Sequence, residues 1–352
     1  MNRQKDLLLE QSCRIENGDI IMKTRKLRDL TVSEIGMGCM GFSHGYGQIP
    51  DEKYSIAAIR KAYEYGCNFF DTAEKYGPNL LPENMGHNEC IVGKAVKDFR
   101  SDVVLATKLH IATEEPEQDG SVYNTIRRHV EASLERLQTK YIDLYYLHRV
   151  NPDIPVEEIA EAMGRLIKEG IIRGWGMSMV TVDFLKRVQD ITPVSAVQNI
   201  YSMMERDYEK GVIPYCLENN IGFVSFSPIA SGYLSGKVSP NQKFEGDDVR
   251  QWVPQMKREN MLANRPLLDI ISNLAKSKNA TNAQIALAWM LYKYPHVVPI
   301  PGSKNQERIL ENLSACNVEL TNKEYYALDN ALDSITIYGQ RSDLNAPTEF
   351  ID

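Results

Sequence analysis

Short, almost wholly apolar runs alternate with amphipathic stretches along nearly the whole chain, and that alternation is what most limits its fold. Residues 67–71 (CNFFD), 102–108 (DVVLATK), 142–147 (IDLYYL), 171–178, 195–199, 222–226 and 297–300 read as strands. Between them, 55–65, 89–99, 122–137, 156–168, 183–190 and 208–218 read as helices, with Ile126, Val130, Leu134 and Leu137 along one stripe. Counted with the run at 34–38, the strands number eight. Strands joined in succession by helices lie parallel, and eight such units predict a closed α/β fold, the (β/α)8 TIM barrel. Strands covered on both faces should be apolar throughout, as most of these are. A polar loop, 231–254, follows the seventh strand, then helices over 262–278 and 282–292; helices over 306–315 and 323–332 close the pattern. An open doubly wound sheet competes with this reading, but it needs a G-x-G-x-x-G that opens a helix after the first strand. Gly36, Gly38 and Gly41 approach that spelling, and polar loop follows them.

At 352 residues, 43% hydrophobic and 25% charged, the chain can bury a sizeable core. No linker divides it, so a single domain is expected over 22–352. Residues 1–21 are polar and precede the pattern; they read as an extension: a tag, a leader or a disordered tail. Net charge is -7, without a basic block, which argues against a nucleic-acid partner. No apolar run approaches the roughly 20 residues of a membrane span. The cysteines, Cys13, Cys39, Cys67, Cys90, Cys216 and Cys316, lack the spacing of a disulfide framework or a zinc site, and read as thiols of a cytoplasmic protein. His87 and Cys90 share a helical face but lack further ligands, so no metal is expected. Both monomer and homo-oligomer remain open.

Barrels of this kind gather their chemistry at the C-terminal ends of the strands. Asp71, Lys108 and His148 each end an apolar run, and Tyr76 lies just past Asp71. Each has an ordinary alternative: a helix cap, a solvated charge, a structural donor, a packed ring. Together they set a carboxylate, an ammonium, an imidazole and a phenol on one rim. A free phenol titrates at about 10, and an adjacent ammonium lowers that value. Lys108, held by Asp71, would tune Tyr76 as an acid, while His148 would orient a carbonyl oxygen. The set suits protonation of an oxygen whose carbon receives hydride. No serine or cysteine is evidently paired with a base for nucleophilic catalysis.

The segments FFDTAEKYG, LATKLH and YYLHRV resemble the catalytic segments of the aldo-keto reductases. The resemblance runs from Met22 to about Leu332 and includes LTVSEIGMGCMGF, SFSPIASGYLSGK and VPIPGSKNQERILENL. GCMGFSHGYG and the spacing are most similar to the general bacterial and plant aldehyde reductases. The resemblance implies Tyr76 as general acid, Lys108 and Asp71 as its tuning pair, and His148 as the orienting group. It also implies an NADPH (NADP+) site without a dinucleotide fingerprint. In that site Ser178 and Gln198 would hold the carboxamide and Phe226 would stack on the nicotinamide. Ser227, Pro228, Ile229, Ser235 and Lys237 would form the pyrophosphate loop. Ser303, Lys304 and Arg308 would take the adenosine phosphate, and Glu311 and Asn312 the adenine. Cys39, Met40, Asp71, Arg250 and Gly302 complete the implied cofactor contacts. Met179 stands where many members carry Asn, Phe226 where many have Tyr or Trp, and Gly302 where some have Lys. Independently of the family, residues 302–304 precede a helix starting near Gln306, where free amides, a hydroxyl and two cations would hold a phosphate. A capped helix start with solvated charges explains the same residues.

The expected function is NADPH-dependent reduction of a small carbonyl substrate. A nicotinamide-binding regulatory subunit on the same fold is the alternative. An unrelated metal-dependent barrel lyase lacks a ligand cluster at the strand ends. Substrate recognition should fall to loops 42–50, 77–87 and 231–254 and to the tail from Ile335, with Tyr46, Tyr76, Trp252 and Tyr338 as an aromatic wall.

Overall fold

The computed structural model describes residues 14–16 and 19–341. Eight parallel strands follow one another around a single sheet: β1 Met37–Gly38, β2 Phe69–Asp71, β3 Val104–Leu109, β4 Ile142–Leu147, β5 Ile172–Ser178, β6 Ala196–Ile200, β7 Gly222–Phe226 and β8 Val297–Pro299. Each pairs in parallel with its chain neighbour, as β2 does with β3 from Phe69↔Val104 to Asp71↔Ala106. The ends of the sheet meet: the Gly36 amide donates to the Pro299 carbonyl at 2.9 Å, and Gly38 bridges Gly302 in parallel. The fold is the TIM barrel. A Cβ on Gly38 would stand 3.0 Å from the Ile300 carbonyl oxygen, so glycine allows this closure.

Alternate faces of the strands feed two cores. Phe69, Val104, Ala106, Leu144, Tyr146, Val224 and Val298 fill the barrel interior. Phe70, Leu105, Tyr145, Leu147 and Val197 face outward against the helices. Helix Val122–Leu137 shows how sequence sets such an element. The Ser121 side chain caps its start by accepting from the Asn124 amide, Ile126, Val130 and Leu137 are buried along one face, and Gln138 ends it in a left-handed conformation.

Before the short β1 the chain forms an antiparallel hairpin, Thr24–Leu27 with Leu30–Ser33. Leu27 and Val32 are fully buried and join the interior core. A Cβ on Gly222, at the start of β7, would fall 2.2 Å from Leu27 Cδ2, so the hairpin seals the N-terminal end of the barrel. Arg25 of the hairpin donates to the carbonyls of Leu291 (2.6 Å), Tyr294 (2.5 Å) and Val297 (2.7 Å). The first two carbonyls close the end of helix Asn282–Lys293, and the third opens β8.

The helix expected over 262–278 is broken at Asn264 into Arg258–Ala263 and Arg265–Ser277, because Pro266 lacks an amide to continue the ladder. The expected helix over 208–218 divides at Gly211 into a tight turn, Asp207–Lys210, and helix Val212–Glu218. The extension expected over 1–21 falls mostly outside the described residues; within it, the backbone of Arg14–Glu16 pairs antiparallel with Asp19–Ile21. Among the described residues, no helix is long and apolar enough to cross a membrane.

Candidate active site

Asp71 ends β2, Lys108 lies one residue before the end of β3, and His148 directly follows β4. Pairing β2 with β3 and β3 with β4 therefore brings their polar ends to one rim. Lys108 is buried there, and its Nζ donates to Asp71 Oδ1 at 2.5 Å and to the Thr72 carbonyl at 2.7 Å. Gln198 Nε2 donates to the other Asp71 oxygen at 2.8 Å. Burial works against the Lys108 ammonium, but Asp71 and Tyr76 outweigh it, and its pKa lies above the ordinary value.

The loop carrying Tyr76 is pinned from both sides. The Asn88 amide donates to the Tyr76 carbonyl at 3.0 Å, and Glu74 accepts from the His110 amide at 2.7 Å and meets His129 Nδ1 at 2.8 Å. A Cβ on Gly77 would lie 2.0 Å from the Asn84 oxygen, which is why the loop can fold back there. The Tyr76 ring packs edge-on to His148, centroids 5.8 Å apart, and Lys108 Nζ stands 5.1 Å from its centre. The phenol departs from expectation in one respect. Lys108 and Arg149 pull its pKa down, yet enclosure pushes harder and raises it above the ordinary value, with Asp71 adding to the rise. His148 is buried; enclosure first, then Arg149, Lys108, His110 and Lys75, hold its pKa well below the usual imidazole value, so the ring is neutral near pH 7.

These groups border a cavity of about 620 Å³. Every implied cofactor residue lines it except Cys39. The Cys39 side chain is fully buried, with Sγ facing the Met37 carbonyl, and its thiol packs into the core instead. Lys108 also lies behind the lining, reaching the cavity through Tyr76. The helix start beyond β8 is more occupied than the free amides expected of it. The Asn305 side chain accepts from the Arg308 amide, Ser303 Oγ from the Asn305 amide, and Tyr54 Oη from the Gln306 amide. Lys304 Nζ donates to the carbonyls of Tyr46 (2.7 Å) and Gln48 (2.5 Å), and Lys237 pairs with Glu311 at 2.9 Å. Arg250 binds Asp248 and lies over Phe244, 4.4 Å from the ring centre. Met179 does not line the cavity; it adopts a left-handed φ of 53°, and its sulfur accepts from Tyr208 Oη at 3.9 Å.

The aromatic wall is half realised. Tyr46 and Tyr76 line the cavity, whereas Trp252 and Tyr338 are half exposed and lie outside it. Trp252 ends the tight turn Val249–Gln251, whose Val249 and Arg250 take the inward positions. Leu80, Leu81 and Met85 supply an aliphatic wall instead. Lys75, Arg149 and Arg341 are lining cations absent from the sequence expectation. Arg149 carried a signal, since it directly follows His148; its Nη1 donates to the His148 carbonyl at 2.6 Å and to Ser178 Oγ at 3.2 Å. Loops 43–46 and 247–249 join across the cavity: Gly45 bridges Asp248, and His44 Nδ1 meets Asp247 Oδ1 at 2.6 Å.

The model of the aldo/keto reductase family matches residues 34–333, a span that holds the barrel and the whole polar rim. The chain belongs to the aldo/keto reductase family. Among curated members of the family, it is 35% identical over 314 residues to a protein of Glycine max named probable aldo-keto reductase 1, covering 88% of each chain. It is 33% identical to the Schizosaccharomyces pombe aldo-keto reductase yakc [NADP(+)], over 90% of this chain and 94% of that one. Among solved structures of the family, an aldo/keto reductase from Klebsiella pneumoniae in complex with NADP and acetate is 28% identical, with a TM-score of 0.68 over 91% of this chain and 100% of that one. The glycerol dehydrogenase AKR11B4 from Gluconobacter oxydans is 25% identical, with a TM-score of 0.76 over 89% of this chain and 96% of that one.

Proposed function

We propose that this chain reduces aldehydes or ketones to alcohols with NADPH, and that Tyr76 donates the proton. The observation that carries the proposal is the convergence of Tyr76, His148 and Asp71 on the cavity, with Lys108 paired to Asp71 behind them. The residues present fit a nicotinamide dinucleotide phosphate. The volume is within the range of small-molecule and cofactor sites. Gly38 and Gly302 keep side chains out of the floor, and Lys237, Lys304 and Arg308 give cations for phosphates. The yeast relative carries NADP(+) in its name and the Klebsiella structure holds NADP, which supports the same cofactor here.

When bound, the nicotinamide supplies a hydride to the carbonyl carbon. Enclosure keeps the Tyr76 phenol protonated near pH 7, so the proton is present when the oxygen needs it. Lys108, fixed by Asp71 and the Thr72 carbonyl, steadies the phenolate left behind. A neutral His148 retains one N–H donor for the substrate oxygen without competing as a stronger acid. Ser178, Gln198 and Phe226, which line the cavity, would hold the nicotinamide; Ser227, Pro228, Ile229 and Ser235 would form the phosphate loop. Ser303, Lys304 and Arg308, which line the same cavity, would take the adenosine phosphate, and Glu311 and Asn312 the adenine. Lys304 has a third donor beyond the two carbonyls it binds, and the Ser303 hydroxyl still has its own proton to give.

The test follows nicotinamide absorbance when purified protein meets NADPH and a panel of aldehydes, with NADH in parallel. Consumption of NADPH, faster than of NADH at equal concentration, is expected. Tight NADPH binding, seen by protein fluorescence, with no consumption across the panel would replace this reading with the regulatory one.

A further inference from the structure

Arg341 belongs to the segment that follows the last helix, Asn322–Ser334, and returns over the mouth of the barrel. The segment is held tightly. Asn264 donates to the Tyr338 carbonyl and accepts from its amide, both at 2.9 Å. Gly339 has a φ of 77°, and a Cβ there would stand 2.8 Å from the Pro254 oxygen. The Arg341 amide donates to the Glu205 carboxylate, which also accepts from Gln255 Nε2. So anchored, Arg341 is only 9% exposed, and it lines the cavity.

Its guanidinium has partners of one kind. Nη1 donates to Ser227 Oγ at 3.2 Å and to Ser231 Oγ at 3.4 Å. Among the described residues, no carboxylate lies within 4.0 Å of it, and Glu205 meets its backbone instead. Hydroxyl dipoles satisfy hydrogen bonds, but they do not neutralise a charge withdrawn from water. The neighbourhood adds to the cost. Burial presses the Arg341 pKa below its ordinary value; Tyr46 and Glu205 pull against that, and the Arg149 cation adds to it. Lys75 and Arg149 line the same cavity. A fork of donors held this way matches a planar pair of anionic oxygens.

We infer that the carbonyl substrate carries an anionic oxygen group, a carboxylate or a phosphate, which the Arg341 guanidinium receives inside the cavity. The inference rests on the reading of this cavity as a carbonyl-reducing site. Ser227, one of the hydroxyl partners of Arg341, belongs to the loop assigned to the cofactor phosphates, but two further observations give the anion to the substrate. The charged neighbour Arg149 is bonded to the His148 carbonyl and to Ser178, at the end where the carbonyl is handled. The cofactor phosphates have their own cations in Lys237, Lys304 and Arg308. The aliphatic wall of Leu80, Leu81 and Met85 then covers the carbon chain between carbonyl and anion. A short oxo acid or an aldehyde phosphate is the substrate class that meets all three features.

The test is calorimetric binding to the full chain saturated with NADP+, run beside NADPH turnover. Succinic semialdehyde is compared with butanal, and glyceraldehyde 3-phosphate with glyceraldehyde, in the native protein and in Arg341→Met and Arg341→Lys. The native protein is expected to bind at least one anionic probe roughly tenfold or more tighter than its neutral match. The tighter anionic probe identifies carboxylate or phosphate. Arg341→Met should bring that preference close to one, and Arg341→Lys should keep part of it, with thermal melting showing that both variants are folded. Absence of preference in the native protein, or a preference that survives in Arg341→Met, overturns the inference. So does a loss of NADP+ affinity in Arg341→Met as large as the loss for the anion, which would assign Arg341 to the cofactor. An Arg341-dependent preference without any NADPH consumption leaves the anion site standing and removes the reductase reading; turnover without preference does the reverse.

Discussion

At the N-terminal end of the barrel Leu27 is sealed against Gly222 and Val32 is buried in the interior core, while the opposite end opens on a cavity bordered by Asp71, Tyr76, His148 and a set of cations. Each end buries a basic side chain, and each does so differently. Arg25 at the closed end donates to two carbonyls at a helix end and one at the start of β8 and lies 4.0 Å from Glu34; burial pushes its pKa down to about 10. Lys108 at the open end is bonded to one carboxylate and one carbonyl, and faces the phenol proposed as the proton donor. The first arrangement finishes a fold, and the second turns an ammonium toward the group proposed as proton donor. The difference teaches that a buried cation is informative about function only after its partners have been counted.

Substitution at each end should break the comparison in a different way. Lys108→Met strips Asp71 of its cation and Tyr76 of its charge stabiliser. It should lower stability by about 4 kcal/mol, read by chemical denaturation, and cut turnover at least a hundredfold. Turnover near native with that stability loss would make Lys108 structural, like Arg25. Arg25→Met should lower stability by about 3 kcal/mol while the KM for NADPH stays within roughly twofold, since it sits far from the cavity lining. Loss of cofactor affinity there would show that the two ends are coupled.

Lys304→Ala with Arg308→Ala sharpens the account of the open end. NADPH affinity should fall by roughly 10- to 100-fold and NADH affinity far less, measured by fluorescence titration. Equal loss for both cofactors would remove the phosphate assignment from this helix start. The smallest effect concerns His296, near the closed end. Burial, against a hydrogen bond to the Ile213 carbonyl, holds its pKa at about 4, below the unfolded value of about 6.5. The native state therefore binds fewer protons than the unfolded one between those values, and stability falls as pH drops through that window. His296→Gln should recover on the order of 1 kcal/mol of the loss between about pH 7 and about pH 5, by denaturation at both pH values. An unchanged loss would mean that His296 titrates normally.

The barrel was legible because its strands are apolar along their length and polar at one end; Asp71, Lys108 and His148 stand out for that reason. Val122–Leu137, Ile142–Leu147 and Val156–Lys168 fall where periodicity puts them. The sealing hairpin was not legible, since its first strand, Thr24–Leu27, is polar but for Leu27 and the turn at Arg28 depends on a left-handed φ of 55° in a residue that does not advertise one. Contacts between distant loops were hidden too. His44 meets Asp247, and Lys304 meets Tyr46, only because the closed sheet brings the loops after β1, β7 and β8 together. The direction of the Tyr76 shift was missed for a related reason: sequence showed the nearby ammonium but not the enclosure that outweighs it. Arg341 lies in the tail from Ile335 that was assigned to substrate recognition, but nothing in the sequence singled it out within that tail.

The account turns on the Tyr76 phenol as the proton donor, and the most direct measurement is NADPH-dependent aldehyde reduction by Tyr76→Phe beside the native protein, with NADPH affinity measured on both. The account predicts that affinity stays within a few-fold while turnover falls by roughly a thousandfold or more. Turnover within tenfold of native at unchanged affinity would contradict it and give the proton to another group.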